Sequence, residues 1–95
     1  MNYTKTITAI LSLNPQARLA DGLEAALIGH ACVHGKTLAL YSSRRVIEIL
    51  MKRDGMDENE ASEFFEFNIA GSYIGPDTPI FHYFQWEDQD TPEDE

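Results

Sequence analysis

Two helix patterns lie back to back in "SSRRVIEILMKRDGMDENEASEFFEFNIAG", residues 42–71, each with its own start and stop signals. Ser42-Ser43 supplies an N-cap for the first. Val46, Ile47, Leu50 and Met51 form its apolar stripe. Lys52 and Arg53 fall in its last turn, where cations complement the helix dipole, and Gly55 ends it. Asp57 with Glu60 three residues later is a capping-box pattern for the second helix, and Glu58 and Glu60 suit its positive end. Ala61, Phe64, Phe65, Asn68 and Ile69 share one broad face, so Phe64, Phe65 and Ile69 are predicted to be core. Phe67 lies off that stripe and either packs on the preceding helix or stands exposed. Gly71 ends the second helix. A pair of one-sided helices needs a second layer to bury against.

The stretch "ALIGHACVHGKTLALYS", residues 26–42, offers that layer as a β-hairpin. Short apolar runs over residues 27–33 and 37–41 flank His34-Gly35-Lys36, and a three-residue loop containing glycine is a common hairpin connection. Strand alternation puts Leu27, Gly29, Ala31 and Val33 on one face and Ile28, His30, Cys32 and His34 on the other. In "SYIGPDTPIFHYFQW", Gly75-Pro76-Asp77 marks a turn, and Ile80 onward reads as a strand that pairs with the hairpin, with Pro79 at its start or edge. The N-terminal "MNYTKTITAILSLNPQ" is ambiguous: Ile7, Ile10 and Leu11 have helical spacing, whereas Thr4, Thr6 and Thr8 favour a strand. "ARLADGLEAAL" fits a short helix or a loop entering the next strand. The reading is therefore an α+β fold of order ββααβ: a small, mostly antiparallel sheet, made of the hairpin and a C-terminal strand, packed by a helical pair. One domain covers residues 1–86. The tail at 87–95, with six acids in nine residues and no apolar side chain, is expected to be disordered.

The central block "ALYSSRRVIEILMKRDGMDENEASEFFEFNIAGSYIGPDTPIF" resembles a group of small phage and prophage proteins of unassigned function. The resembling features are Tyr41 opening a helix, "IEILM", "DGM", the "EFFEFNIAG" helix end and "GPDTPIF". They span about residues 27–81. The resemblance implies a viral accessory setting and a single small fold, and it carries no catalytic residues.

Chemistry is poorly supplied. His30, Cys32 and His34 on one strand face, with His82 from a neighbouring strand, would give four N/S ligands, but i, i+2, i+4 spacing within one strand is not a usual zinc pattern. Cys32 as a nucleophile has no recognisable third member and no oxyanion hole. An acid–base pair drawn from Glu58, Glu60, Glu63 and Glu66 competes with a plain solvated helix face. Gly71, Gly75 and Pro76 do not make a phosphate loop. The chain thus reads as a non-enzymatic protein with no cofactor and no metal.

Its charge is the more pointed signal. The net charge of −9 is unevenly spread: residues 1–53 hold all seven basic residues and three acids, for +4, while residues 54–95 hold thirteen acids and no Lys or Arg, for −13. Direct nucleic-acid binders show the opposite balance, because their affinity comes from neutralising phosphates. No apolar run approaches the roughly 18 residues of a membrane span, and the first residues lack a signal-peptide pattern, so the expected place is the cytoplasm of a bacterial host. Helix-borne acids at i, i+3 lie about 6 Å apart, close to phosphate spacing along one strand. The specific expectation is an anti-CRISPR-like inhibitor of a host nucleic-acid-handling or defence system. Its partner would be a basic, nucleic-acid-binding host protein, met by Asp57, Glu58, Glu63 and Glu66 with Tyr73 and Trp86. Two alternatives stand beside it. One is a homo-oligomeric structural or scaffolding protein, in its simplest form a homodimer, whose +4 half meets a neighbour's −13 half and whose apolar interface comes from Phe67, Tyr73, Phe81, Tyr83 and Trp86. The other is a small-ligand module lined by the same aromatics.

Overall fold

A computed structural model describes residues 3–71 and 75–82 of the chain. Among them are helix α1 (Tyr3–Leu13), strands β1 (Leu27–Val33) and β2 (Lys36–Ser42), helices α2 (Ser43–Asp54) and α3 (Glu58–Phe64), and strand β3 (Ile80–His82). The class is α+β with a small sheet, and the ββααβ core follows the expected order, preceded by a helix. The ambiguous N-terminal segment is that helix. Its threonines cost some helix propensity, but Ile10 becomes fully buried and Ile7 packs against the core, and burying one side of a helix outweighs a few tenths of a kcal/mol per β-branched residue. "ARLADGLEAAL" is a loop closed by a single 3₁₀ turn, Glu24–Ala26.

The sheet order is β1-β2-β3. β1 and β2 pair antiparallel with Val33 opposite Lys36, so the connection is the two residues His34 and Gly35 rather than three. Both have positive φ, +52° and +79°, as a type I′ turn requires; its twist matches that of the strands. His34 therefore leaves the strand face on which alternation placed it. Ile28 is skipped in the pairing between Leu27 and Gly29, a β-bulge that turns its side chain outward. β3 does join the hairpin, but it runs parallel to β2, pairing Leu40 with Ile80, Tyr41 with Phe81 and Ser42 with His82, so the sheet is mixed. The direction follows from the route: two helices intervene, and the chain returns to the start of α2 rather than folding back on itself. Tyr41, expected to open a helix, lies within β2, and α2 begins just after it.

Paired residues share a face, so Ala39, Tyr41 and Phe81 look toward the helices. There they meet Ile10, Val46, Leu50, Ala61 and Phe65 in one buried core. Tyr41 is its hub. Its ring lies 5.6 Å from Phe81, and Phe81 meets Phe65 edge-on at 5.3 Å and 82°. Its hydroxyl accepts the Ala20 N–H at 2.8 Å, and burial raises its pKa. The start and stop signals of the helices hold: Ser42 Oγ accepts the Arg45 N–H, Gly55 adopts the left-handed conformation at φ +71°, and the Asp57–Glu60 capping box is complete. Three residues of the predicted faces are not core, exposed Asn68 among them. Met51 is exposed, its place taken by half-buried Ile49, and Phe64 is 39% exposed. At Phe65 the helix widens into a π-helical segment, Phe65–Ala70. A wider turn changes the angle between successive side chains, so a 3.6-residue stripe drawn through this stretch drifts off the buried side. Phe65 and Ala61 hold the core contact; Phe64 is turned out.

The turn at residues 75–78 is tied to the far end of the molecule. Asn14, just after α1, donates from Nδ2 to the Thr37 carbonyl at 2.9 Å and to Asp77 Oδ1 at 3.0 Å. Lys36 Nζ reaches the same carboxylate oxygen at 3.1 Å, and the Arg18 N–H meets the Asp77 carbonyl at 3.0 Å. The Asn14 bond, then Lys36, hold the Asp77 pKa below the usual aspartate range.

Candidate functional site

α3 and the π-helical segment carry the acids singled out by charge. Asp57, Glu58, Glu60, Glu63 and Glu66 are all exposed on it. The capping box divides their roles. Asp57 Oδ1 accepts the Glu60 N–H at 2.8 Å and Glu60 Oε1 accepts the Asp57 N–H at 3.0 Å, so these two carboxylates serve the helix start as well as the surface. The Glu58, Glu63 and Glu66 carboxylates take no part in that box. Among the described residues, ion pairs on other elements, Lys36–Asp77, Arg44–Glu48 and Arg53–Asp54, engage three of the basic residues. Residues 57–71 carry five acids and no Lys or Arg, and each neighbour of like sign strengthens the field that the next one projects.

The acids do not stand alone. Phe67 is 80% exposed, the most exposed large apolar side chain among the described residues, and it sits between Glu66 and Asn68. With Phe64, Met56, Glu60, Glu63 and Asn68 it lines an open pocket of about 350 Å³. Phe65 packs in the core, while Phe64, the last residue of α3, and Phe67, within the π-helical segment, reach the surface. Gly71 closes the segment, and a Cβ there would stand 3.0 Å from the Glu66 carbonyl oxygen, so a side chain at this exit would be crowded by the backbone of the wide turn. An aromatic anchor rimmed by acids is the composition of a protein-contact surface, in which large rings supply buried area and charges supply steering.

Of the partner-binding residues expected from sequence, Asp57, Glu58, Glu63 and Glu66 are exposed on α3, its cap and the segment that follows it. Tyr73 and Trp86, and the acidic tail at 87–95, lie outside the described residues. Phe64 and Asn68 were missed as surface groups because the helical period assigned both to the buried side. Phe67 could be found, since it already lay off the stripe.

The histidine and cysteine cluster does not assemble into a site. Cys32 and His30 are exposed on edge strand β1, and His34 is in the turn. Among the described residues, no group of three or more His, Cys, Asp or Glu side chains is placed to hold a metal ion, and no helix is long and apolar enough to cross a membrane. No protein-family profile, curated protein or solved structure matches the chain.

Proposed function

We propose that the protein is a non-enzymatic, phage-type interaction protein that inhibits a host nucleic-acid-handling or defence system. Its acidic α3 surface occupies the basic groove of a nucleic-acid-binding host protein. The observation that carries this reading is the exposure of Glu58, Glu63 and Glu66 on a segment that contains no Lys or Arg, together with the exposed Phe67 ring on the same segment. Charge of this kind draws a basic groove and competes with phosphate for its Lys and Arg side chains, which accounts for the encounter. The ring gives the contact an apolar anchor that a nucleic acid provides through its bases.

The test is capture of the partner from host lysate with tagged protein, followed by binding measurements on the purified pair. Reversing Glu58, Glu63 and Glu66 to Lys adds +2 each, taking the net charge from −9 to −3. Helix propensity is nearly preserved, because Lys and Glu are similar formers. Binding should weaken by at least about tenfold, as expected for the loss of several complementary charges, and DNA or RNA should displace the wild-type protein. A partner that binds the triple reversal as tightly as wild type and ignores nucleic acid would refute the reading.

A further inference from the structure

The pocket beside Phe67 has a chemistry more specific than charge. Its lining is of two kinds, apolar Met56, Phe64 and Phe67 and polar Glu60, Glu63 and Asn68, around about 350 Å³. Met56 is half-buried, whereas Phe64 is 39% and Phe67 80% exposed. The aromatic pairs among the described residues, Tyr41–Phe81 and Phe65–Phe81, include neither Phe64 nor Phe67.

The two carboxylates differ. Glu60 Oε1 accepts the Asp57 N–H at 3.0 Å, which fixes that side chain at the start of α3. Glu63 enters none of the ion pairs among the described residues. No Lys or Arg lines the pocket. All seven Lys and Arg of the chain fall in residues 1–53, and residues 1–2, 72–74 and 83–95, outside the described ones, contain neither type. Those residues therefore bring no basic side chain to Glu60 and Glu63.

We infer that this pocket receives one arginine side chain of a partner protein, its stem along Phe64 and Met56 and its guanidinium over the Phe67 ring and against Glu63. The inference rests on the reading of α3 as a partner surface and names the group that the surface recognises. A guanidinium suits both kinds of wall at once, because it stacks flat on an aromatic face and forks onto a carboxylate. A lysine ammonium is compact and strongly hydrated, so it keeps less of either contact. An apolar side chain would desolvate two carboxylates without pairing them. A phosphate would meet charges of its own sign. The volume lies at the low end of small-molecule sites, roughly 300–1,000 Å³, as a single side chain requires.

The test uses the full chain and follows the backbone amide resonances of Phe64, Phe67 and Asn68. The tripeptide Gly-Arg-Gly, acetylated and amidated, is added at matched ionic strength, beside counterparts with lysine or citrulline in place of arginine. The expected result is saturable shifts with the arginine peptide, binding at least about threefold weaker with lysine, and no saturation with uncharged citrulline. Phe67→Leu, which keeps an apolar side chain but removes the ring, and Glu63→Gln should each weaken arginine binding about two- to fivefold. The remaining amide spectrum should stay unchanged, which shows that each variant is folded. Shifts that do not saturate, a lysine peptide that binds as tightly, or binding indifferent to both variants would overturn the proposal. This failure is separable from failure of the inhibitor reading. A captured partner that still requires Glu58, Glu63 and Glu66, with no arginine selectivity at the pocket, sinks the arginine and keeps the inhibitor. An arginine-selective pocket on a protein whose partner ignores the triple reversal and nucleic acid keeps the site and sinks the inhibitor.

Discussion

Phe65 and Phe67 stand two positions apart in the chain and meet opposite surroundings. Phe65 is fully buried against Phe81, whereas Phe67 is 80% exposed. Phe65→Ala should cost about 3–5 kcal/mol, a large share of the roughly 5–15 kcal/mol that holds a small domain together. Phe67→Ala should change stability by no more than about 0.5 kcal/mol. Urea denaturation of both variants checks the contrast, and equal losses would show that the π-helical segment is oriented otherwise. His34 gives a second residue-scale test. It holds φ at +52° in a turn that favours Asn-Gly, so His34→Asn should stabilise the protein by a few tenths to about 1 kcal/mol. A lower thermal midpoint would mean that the imidazole makes a contact worth more than the strain.

At the scale of elements, the joints matter more than the elements themselves. α3 is short, seven residues, and a helix of that length is marginal without its cap and its packing. Asp57→Ala removes the carboxylate that accepts the Glu60 N–H, leaving the Asp57 backbone bond to Glu60 in place, and should cost about 1 kcal/mol, read as a lower denaturation midpoint with an unchanged slope. The Asn14–Lys36–Asp77 cluster ties the end of α1, the hairpin turn and the approach to β3. Its carboxylate pKa is lowered in the native state by Asn14 and then Lys36, so the native protein favours the ionised form more than the unfolded chain does. That contribution is complete above the ordinary aspartate range and is lost as pH falls through the lowered native value. The stability gap between wild type and Asp77→Asn should therefore be widest near neutral pH and narrow in acid. A gap that stays constant down the acid limb would rule out linkage through this carboxylate.

The whole molecule is organised by charge. Every basic residue lies in residues 1–53, and the net charge of −9 is dominated by the second half of the chain. Exposed charges are screened over about 10 Å at 0.1 M salt. Association with a basic partner should thus slow steeply between low and moderate ionic strength, while dissociation, governed by the Phe67 contact, should change far less. Stopped-flow association across a salt series is the appropriate measurement. An association rate indifferent to salt would remove charge steering and leave an apolar contact alone.

Much of this architecture is written locally. The caps at Ser42 and Asp57, the stop at Gly55, the hairpin, the turn at Gly75-Pro76-Asp77 and the segregation of charge are legible because each depends on side chains within a few residues of one another. The acids of α3 were legible as a surface for the same reason. Other features needed the fold. α1 is helical because Ile10 finds a core, which no reading of its threonines supplies. β3 runs parallel to β2 because of where two helices return the chain. Phe64 is exposed because Ala61 and Phe65, one turn apart, take the core contact, and only the packed fold makes that choice. A pocket at the start of α2 gathers Ile28 and His82 from strands far apart in sequence, and only strand pairing brings such residues together. Local geometry is set by short-range sterics and hydrogen bonds, while registry, strand direction and burial are decided by which surfaces the collapsed chain can cover at once.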